Sequence, residues 1–371
     1  MDNLTEPWQK LFGPPAAAHE TTTFPMRLLR REGRAFLLLP AASRLAAQSL
    51  ELYAPQTRWA RLAKYLLRAA FNLDLPLRLE TLALRINQED PFARFLSQSA
   101  RAENGPLPAF ALLAGNPRVA GQRSILLLFD SYGAPAAVVK AGADPDGFRL
   151  IEREETFLKS VPPNTAGVPS VRSIFRSEGV RAFAMDFFPG KSPNPAQWPA
   201  LENLLGSWID CSRKVSLGDL PMWQRFEISV LVLPEPLKQL GSAAIYPAIY
   251  HGDFAPWNIK AQRNSWMLLD WERGELAGVP LWDWLHFIVQ PAVLVEHSPP
   301  GIVIGRIENW LQSAPVTRYA ERCGIAGLRR ALTAAYFQYC IHVLRPTEGL
   351  PELQELGDVA LRKWFPGVIA L

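Results

Sequence analysis

Apolar and polar positions alternate along the chain in three successive textures. Over residues 1 to about 100 the runs are mixed: "RAFLLLP" has the make-up of a strand, whereas "RWARLAKYLLRAAFNL" repeats apolar residues at helical spacing with Arg and Lys between them. Such a helix is expected to pack one face and solvate the other with its long basic side chains, an anionic surface being the alternative that the pattern permits. "ETLALRI" and "EDPFARFLSQ" continue this segment. From about residue 107 the texture changes to short apolar runs broken by turn residues: "PAFALLAG", "RSILLLFD" and "AAVVKAG" predict three antiparallel strands. A helix is expected in "GFRLIEREETFLKSV", and a hairpin-like pair in "VRSIFRSEG" and "VRAFAMDFF". Beyond "PGKSPNP" helical periodicity dominates, as in "AQWPALENLLGSWIDCSRKV" and "GLRRALTAAYFQYCIHVL", with a two-stranded unit at 258–270 as the exception. The order predicts an α+β chain in three parts: 1–100, mixed α/β; 101–190, a small antiparallel sheet with one helix; and 191–371, a larger helical domain. A ligand is expected between the last two.

Composition narrows the class. With 49% hydrophobic and 20% charged residues over 371 positions, the chain is an ordinary globular protein. A net charge of +4 without a Lys/Arg run interleaved with aromatics argues against nucleic acid, and suits polyphosphate ligands. Cys211, Cys323 and Cys340 are widely spaced, odd in number and form no CxxC, so neither a disulfide framework nor a zinc site is expected. The start "MDNLTEPWQKLFGPP" lacks a signal-peptide pattern, and no apolar run reaches the ~18 residues of a membrane span. A cytoplasmic location is the expectation.

Candidate chemistry concentrates in "HGDFAPWNI", His251 to Ile259. Pro256 removes a backbone donor and restricts Ala255, so Asp253 and Asn258 flank a loop rather than a helix. The following "IKAQ", "RNS" and "WMLLD" predict a hairpin turning at Asn264 and Ser265, which returns Asp270 beside Asn258. An Asn and an Asp together offer the hard oxygens that Mg²⁺ takes when phosphates complete its shell. Phosphoryl transfer needs an aligned hydroxyl and neutralised phosphate charge. Asp253 would orient the hydroxyl, and Lys140, ending the apolar strand "AAVVK", would reach the phosphates. Glu154, in "EREETFL", is the expected partner of Lys140, with Glu155 as the alternative.

Taken in order, "AAVVK", "EREETFL", "AFAMDFFPGKS", "HGDFAPWNI", "MLLDWE" and "GVPLWDWLHF" resemble the aminoglycoside phosphotransferase family of the protein-kinase-like superfamily, over about residues 107 to 345. The resemblance implies a bilobal kinase-like fold in which 1–100 is an extra segment without a family role. It implies transfer of the γ-phosphate of ATP, with Mg²⁺, to a hydroxyl of a small molecule: a sugar, amino-sugar or amino-alcohol. Asp253 would be catalytic, Asn258 and Asp270 the magnesium ligands, and Lys140 and Glu154 the phosphate-binding pair. Met185 to Phe188, hence Asp186, Phe187 and Phe188, would meet the adenine as a hinge. His251 and Asp283 would support the catalytic loop. Gly115 and Gly121 are the sole glycines of the corresponding phosphate loop, "LLAGNPRVAGQRS".

Other constellations are set aside. "PGKSP" ends like a P-loop, but Met185 stands where its first Gly belongs. His251 as a base is weighed against a hydrogen-bonding role, and His286, His342, His19 and His297 are expected to be structural or exposed. Trp257, Trp266, Trp271, Trp282 and Trp284 are expected to be core rather than a cation box. No HExxH, GxSxG or GxGxxG is present. The rival function is a catalytically silent, kinase-like nucleotide-binding or scaffolding module.

Overall fold

Strand alternation in the first hundred residues builds a sheet that continues well beyond them. In the computed structural model, which describes residues 6–13, 21–100, 107–115, 121–194, 197–231, 233–262, 265–344 and 352–366, the chain forms two compact units. The first comprises residues 1–159 and 169–189, the second 160–168 and 190–371.

Among the described residues, the first unit holds eight strands: β1 (Thr21–Arg31), β2 (Arg34–Pro40), β3 (Glu80–Asn87), β4 (Phe110–Ala114), β5 (Arg123–Phe129), β6 (Pro135–Gly142), β7 (Val171–Arg176) and β8 (Arg181–Asp186). They make one sheet in the order β3-β1-β2-β4-β5-β6-β8-β7, antiparallel at every pairing. The expected separation of residues 1–100 is therefore absent. β2 pairs with β4 through Leu37↔Leu113 and Leu38↔Leu112, so the early strands extend the same sheet.

The period-two pattern decides what covers each face. Leu38, Phe110, Leu112, Leu126, Leu128 and Val139 pack with Trp8 and Leu11 of α1 (Pro7–Leu11) and with Phe92, Phe95 and Leu96 of α4 (Pro91–Ser99). On the other face, Leu37, Leu39, Ala111, Leu127 and Phe129 pack with Ala46 and Ala47 of α2 (Ser43–Ser49) and Phe71 of α3 (Arg58–Asn72). α5 (Pro145–Ser160) connects β6 to the next strand pair.

The second unit carries the helices α6 (Pro199–Ser207), α7 (Pro221–Ser229), α8 (Glu235–Lys238), α9 (Trp282–Leu294), α10 (Pro300–Leu311), α11 (Ala314–Cys323), α12 (Arg329–Tyr339) and α13 (Glu352–Trp364). Three short antiparallel pairs lie among them: β9 (Val215–Ser216) with β10 (Ala244–Ile245), β11 (Ala248–Tyr250) with β14 (Glu275–Gly278), and β12 (Ile259–Gln262) with β13 (Ser265–Leu268). The predicted 258–270 hairpin is thus present. Its turn differs, because Ser265 already belongs to β13, and residues 263–264 lie outside the described residues. The aromatic-rich centre includes fully buried Trp223, Trp271, Trp282 and Phe226. The resulting class is α+β, an antiparallel sheet followed by a helical portion.

Candidate active site

In the second unit the site is assembled on the loop between β11 and β12. His251 Nε2 lies 2.8 Å from the Leu269 carbonyl, and the Asp253 N–H donates to His251 Nδ1 at 3.1 Å. These contacts require Nε2–H donating to the carbonyl and an unprotonated Nδ1, so the ring is neutral and both nitrogens are engaged. Burial, the largest influence, pushes the His251 pKa down to about 4 despite the nearby acids. His251 is a brace for the loop and has no nitrogen left to act as a base. Gly252 sits at φ +80°, and a Cβ there would lie 2.6 Å from Arg273 Cβ, so glycine is required on both counts.

Asp283, in the first turn of α9, holds the loop from below. Its Oδ2 accepts the His251 N–H at 2.7 Å and its Oδ1 the Gly252 N–H at 3.1 Å. Burial pushes this carboxyl up to about 7, against the pull of the two donors.

Asp253 itself is gripped on both oxygens. Asn258 Nδ2 donates to Oδ2 at 2.8 Å and to the Asp253 carbonyl at 3.0 Å, while His286 Nε2 lies 3.1 Å from Oδ1. Burial alone would raise its pKa, but the His286 hydrogen bond and attraction, with Arg273 nearby, hold it well below the usual carboxylate range. The side chain remains 30% exposed, so a ligand can reach it.

His286 was expected to be merely structural; it contacts the Asp253 carboxylate. Its Nδ1 lies 3.1 Å from the buried Tyr336 hydroxyl, which fixes the ring. Its signal in the sequence was the spacing to Asp283: positions i and i+3 on α9 share a face, so the helix that holds the loop also holds Asp253. Arg273 had no comparable signal.

β12 and β13 bring the remaining acid alongside. Ile259 pairs with Leu268, and the Leu269 N–H donates to the Asn258 carbonyl at 2.8 Å, so the main chain of Asp270 directly follows a residue bonded to Asn258. Asp270 has φ +65°, a conformation that Asp and Asn adopt more readily than other non-glycine residues. The Asn258 amide nitrogen is spent on Asp253, so what Asn258 and Asp270 can offer a ligand are an amide oxygen and a carboxylate, the hard oxygens that Mg²⁺ takes.

In the first unit, Val139 and Ala141 face the core with α4, so Lys140 projects to the opposite face of β6. There its Nζ meets Glu154 Oε1 at 2.6 Å, both residues being buried. Glu154 shares an inward stripe of α5 with Gly147, Ile151 and Leu158. Glu155, the alternative partner, instead pairs with Arg176 at 2.8 Å. Asp186 ends β8 beside Arg172 at 3.1 Å, the Phe187 N–H donates to Ala136 O at 3.3 Å, and Phe188 follows beyond the strand. Gly115 stands where a Cβ would lie 2.3 Å from the Arg123 carbonyl, and Gly121, at φ +79°, is packed against Leu150 and Asp146 of α5. The two glycines stand at either end of the β4–β5 connection, whose residues 116–120 lie outside the described residues.

Other motifs fall away. Lys191 exchanges main-chain hydrogen bonds with Ala261 in a bridge, not at a phosphate-binding helix start. Trp271, Trp282 and Trp284 are buried in different aromatic contacts and Trp266 is buried as well, all four as core, whereas Trp257 is only half-buried. His19 lies outside the described residues. Glu275 and Glu296 are paired with Arg225 and Arg306. A cavity of about 230 Å³ adjoins the loop through Phe254; Trp198, Trp284, Phe287 and Trp310 line it, and no charged described residue does.

No protein-family model matches the sequence, and neither does any curated protein sequence. Among solved structures, the chain is similar to a thermostable mutant of aminoglycoside phosphotransferase APH(4)-Ia in a ternary complex with ADP and hygromycin B: 13% identity, TM-score 0.45, covering 74% of this chain and 98% of that one. A different thermostable mutant of that enzyme, in a complex with AMP-PNP and hygromycin B, gives 14% identity and a TM-score of 0.45, over 74% and 99%. Aminoglycoside phosphotransferase APH(3'')-Id from Streptomyces rimosus gives 14% identity and a TM-score of 0.42, over 67% and 97%.

Proposed function

We propose that the protein is a small-molecule kinase that transfers the terminal phosphoryl group of ATP to a hydroxyl. The observation that carries it is the Asp253 carboxylate, ionised, reachable from solvent, and fixed on both oxygens by Asn258 and His286. The hydroxyl oxygen would bond to the γ-phosphorus as the bond to the β–γ bridging oxygen breaks, releasing ADP, and the hydroxyl proton would leave late in the step by way of the Asp253 carboxylate to solvent. Asp253 accepts the hydroxyl hydrogen bond and aligns the oxygen. A carboxylate with so low a pKa is a weak base, so alignment is its main service, in keeping with a loose transition state that asks for little proton abstraction. Lys140, held by Glu154, is assigned to the nucleotide phosphates. Asn258 and Asp270 would hold Mg²⁺, which when bound neutralises phosphate charge.

The test is ADP release in the presence of ATP and Mg²⁺ across a panel of alcohols. Sugars, amino-sugars and amino-alcohols belong in it, and so do alcohols with an apolar body, given the uncharged aromatic cavity beside Phe254. Turnover dependent on one acceptor class supports the proposal; nucleotide binding without turnover over the whole panel would favour the silent module. Asp270→Asn tests the metal assignment with little backbone cost, since Asn also tolerates the left-handed conformation. It is expected to weaken magnesium-dependent nucleotide binding about tenfold, read as a smaller rise of the thermal midpoint on adding Mg²⁺ with ATP. An unchanged rise would remove Asp270 from this role.

A further inference from the structure

Helix α3 presents apolar residues outward. Its inward arc is filled by Phe71 and Leu67, which pack on the sheet face shared with α2. Trp59, Leu62, Leu66 and Leu73 recur at spacings of three, four and seven and so form a second arc, with Tyr65 at its edge. These side chains are exposed: Trp59 80%, Tyr65 69%, Leu66 57% and Leu73 70%. Exposed Leu75 continues the patch just past the helix. Isolated exposed apolar residues need no explanation, but a contiguous helical stripe does.

The charges on the helix select what covers it. Arg58, Arg61, Lys64 and Arg68 lie along one flank of the stripe, and Arg58–Asn72 contains no acidic residue. Arg68 pairs with Glu51 of the preceding segment. Arg61 donates to the main-chain carbonyls of Pro55 and Gln56, which orient it without cancelling its charge. Two copies packed stripe to stripe would bring these cations together with no carboxylate on either helix to offset them. Lipid phosphates satisfy both halves of the pattern: headgroups meet the cations, and the acyl boundary takes the Trp and Leu side chains. At 15 residues α3 is too short to cross a bilayer, and no described helix is long and apolar enough to do so.

We propose that α3 seats the protein on an anionic lipid surface, lying in the interface plane with Trp59, Leu62, Leu66 and Leu73 inserted and Arg58 and Arg61 on the headgroups. This goes beyond the kinase activity and does not depend on it.

The test is co-sedimentation of the full chain with phosphatidylcholine vesicles, with and without phosphatidylglycerol. Binding is expected only with phosphatidylglycerol and should weaken as salt is raised. Arg58→Gln should lower the partition about fivefold, and the double change Trp59→Gln with Leu66→Gln about tenfold or more. All three side chains are exposed, so an unchanged thermal midpoint serves as the folding control. Absence of binding to phosphatidylglycerol vesicles at low salt would overturn the proposal. So would a dimer in light scattering that the double change dissociates, which would assign the stripe to a second copy.

Discussion

Asp253→Asn is expected to lower turnover by about 10²–10⁴-fold while leaving the fold and the nucleotide affinity close to their original values. The substitution is nearly isosteric, and its surroundings can absorb it. The new amide oxygen can still accept from Asn258 Nδ2, which leaves its nitrogen facing His286 Nε2. His286 can then accept there by moving its proton to Nδ1, because the Tyr336 hydroxyl opposite can either donate or accept. What is lost is the negative charge that receives the acceptor's hydroxyl. Steady-state rates at saturating ATP, with the thermal midpoint as a control, read the effect. A variant that keeps its midpoint and its rate would remove Asp253 from the chemistry. The pH profile adds a second check: because this carboxyl is held well below the usual range, Asp253 stays ionised through the neutral and mildly acidic region. An acid limb near neutrality must then come from another group.

The loop, the hairpin and the Lys–Glu pair were legible because local rules govern them. Pro256 excludes a regular α-helix through the loop and opens only a single 3-10 turn, Pro256–Asn258, the hairpin aligns residues around its own turn, and Glu154 follows from the helical face it shares with Leu158. His286 was hidden because its partner lies 33 residues away, and only the docking of α9 under the loop joins them. The union of residues 1–100 with the later strands was hidden for a similar reason. β2 reaches β4 through two residue pairs, and strand texture says nothing of which edge a strand will join. For α3 the periodicity revealed the helix but not its covering. Apolar residues occupy two arcs, and only the sheet contact of Phe71 and Leu67 shows which arc is buried.

Asp283→Ala is expected to cost roughly 2–6 kcal/mol of stability, since it strips the acceptor from two buried N–H groups at about 1–3 kcal/mol each. The His251 and Gly252 donors have no ready substitute, because Gly252 is locked at φ +80° against Arg273 and His251 is tied to Leu269. Turnover should fall as well, since the freed loop no longer presents Asp253 to Asn258 and His286. Denaturant unfolding reads the stability change, and a loss below ~1 kcal/mol would show that the loop holds itself. Asp283→Asn separates charge from shape. It keeps one acceptor but turns an amide donor toward the other N–H, so it too is destabilising, though it cannot titrate. The folded carboxyl stands at about 7 against an ordinary value of 3.8, so between those values the folded state keeps a proton that the unfolded chain has released. Stability from this group is therefore full below about pH 4 and is lost as pH rises through about 7. The advantage of the natural chain over Asp283→Asn should accordingly narrow from about pH 5 to about pH 8. A widening advantage over that range would mean that the two N–H donors and the α9 terminus outweigh burial and keep Asp283 ionised throughout.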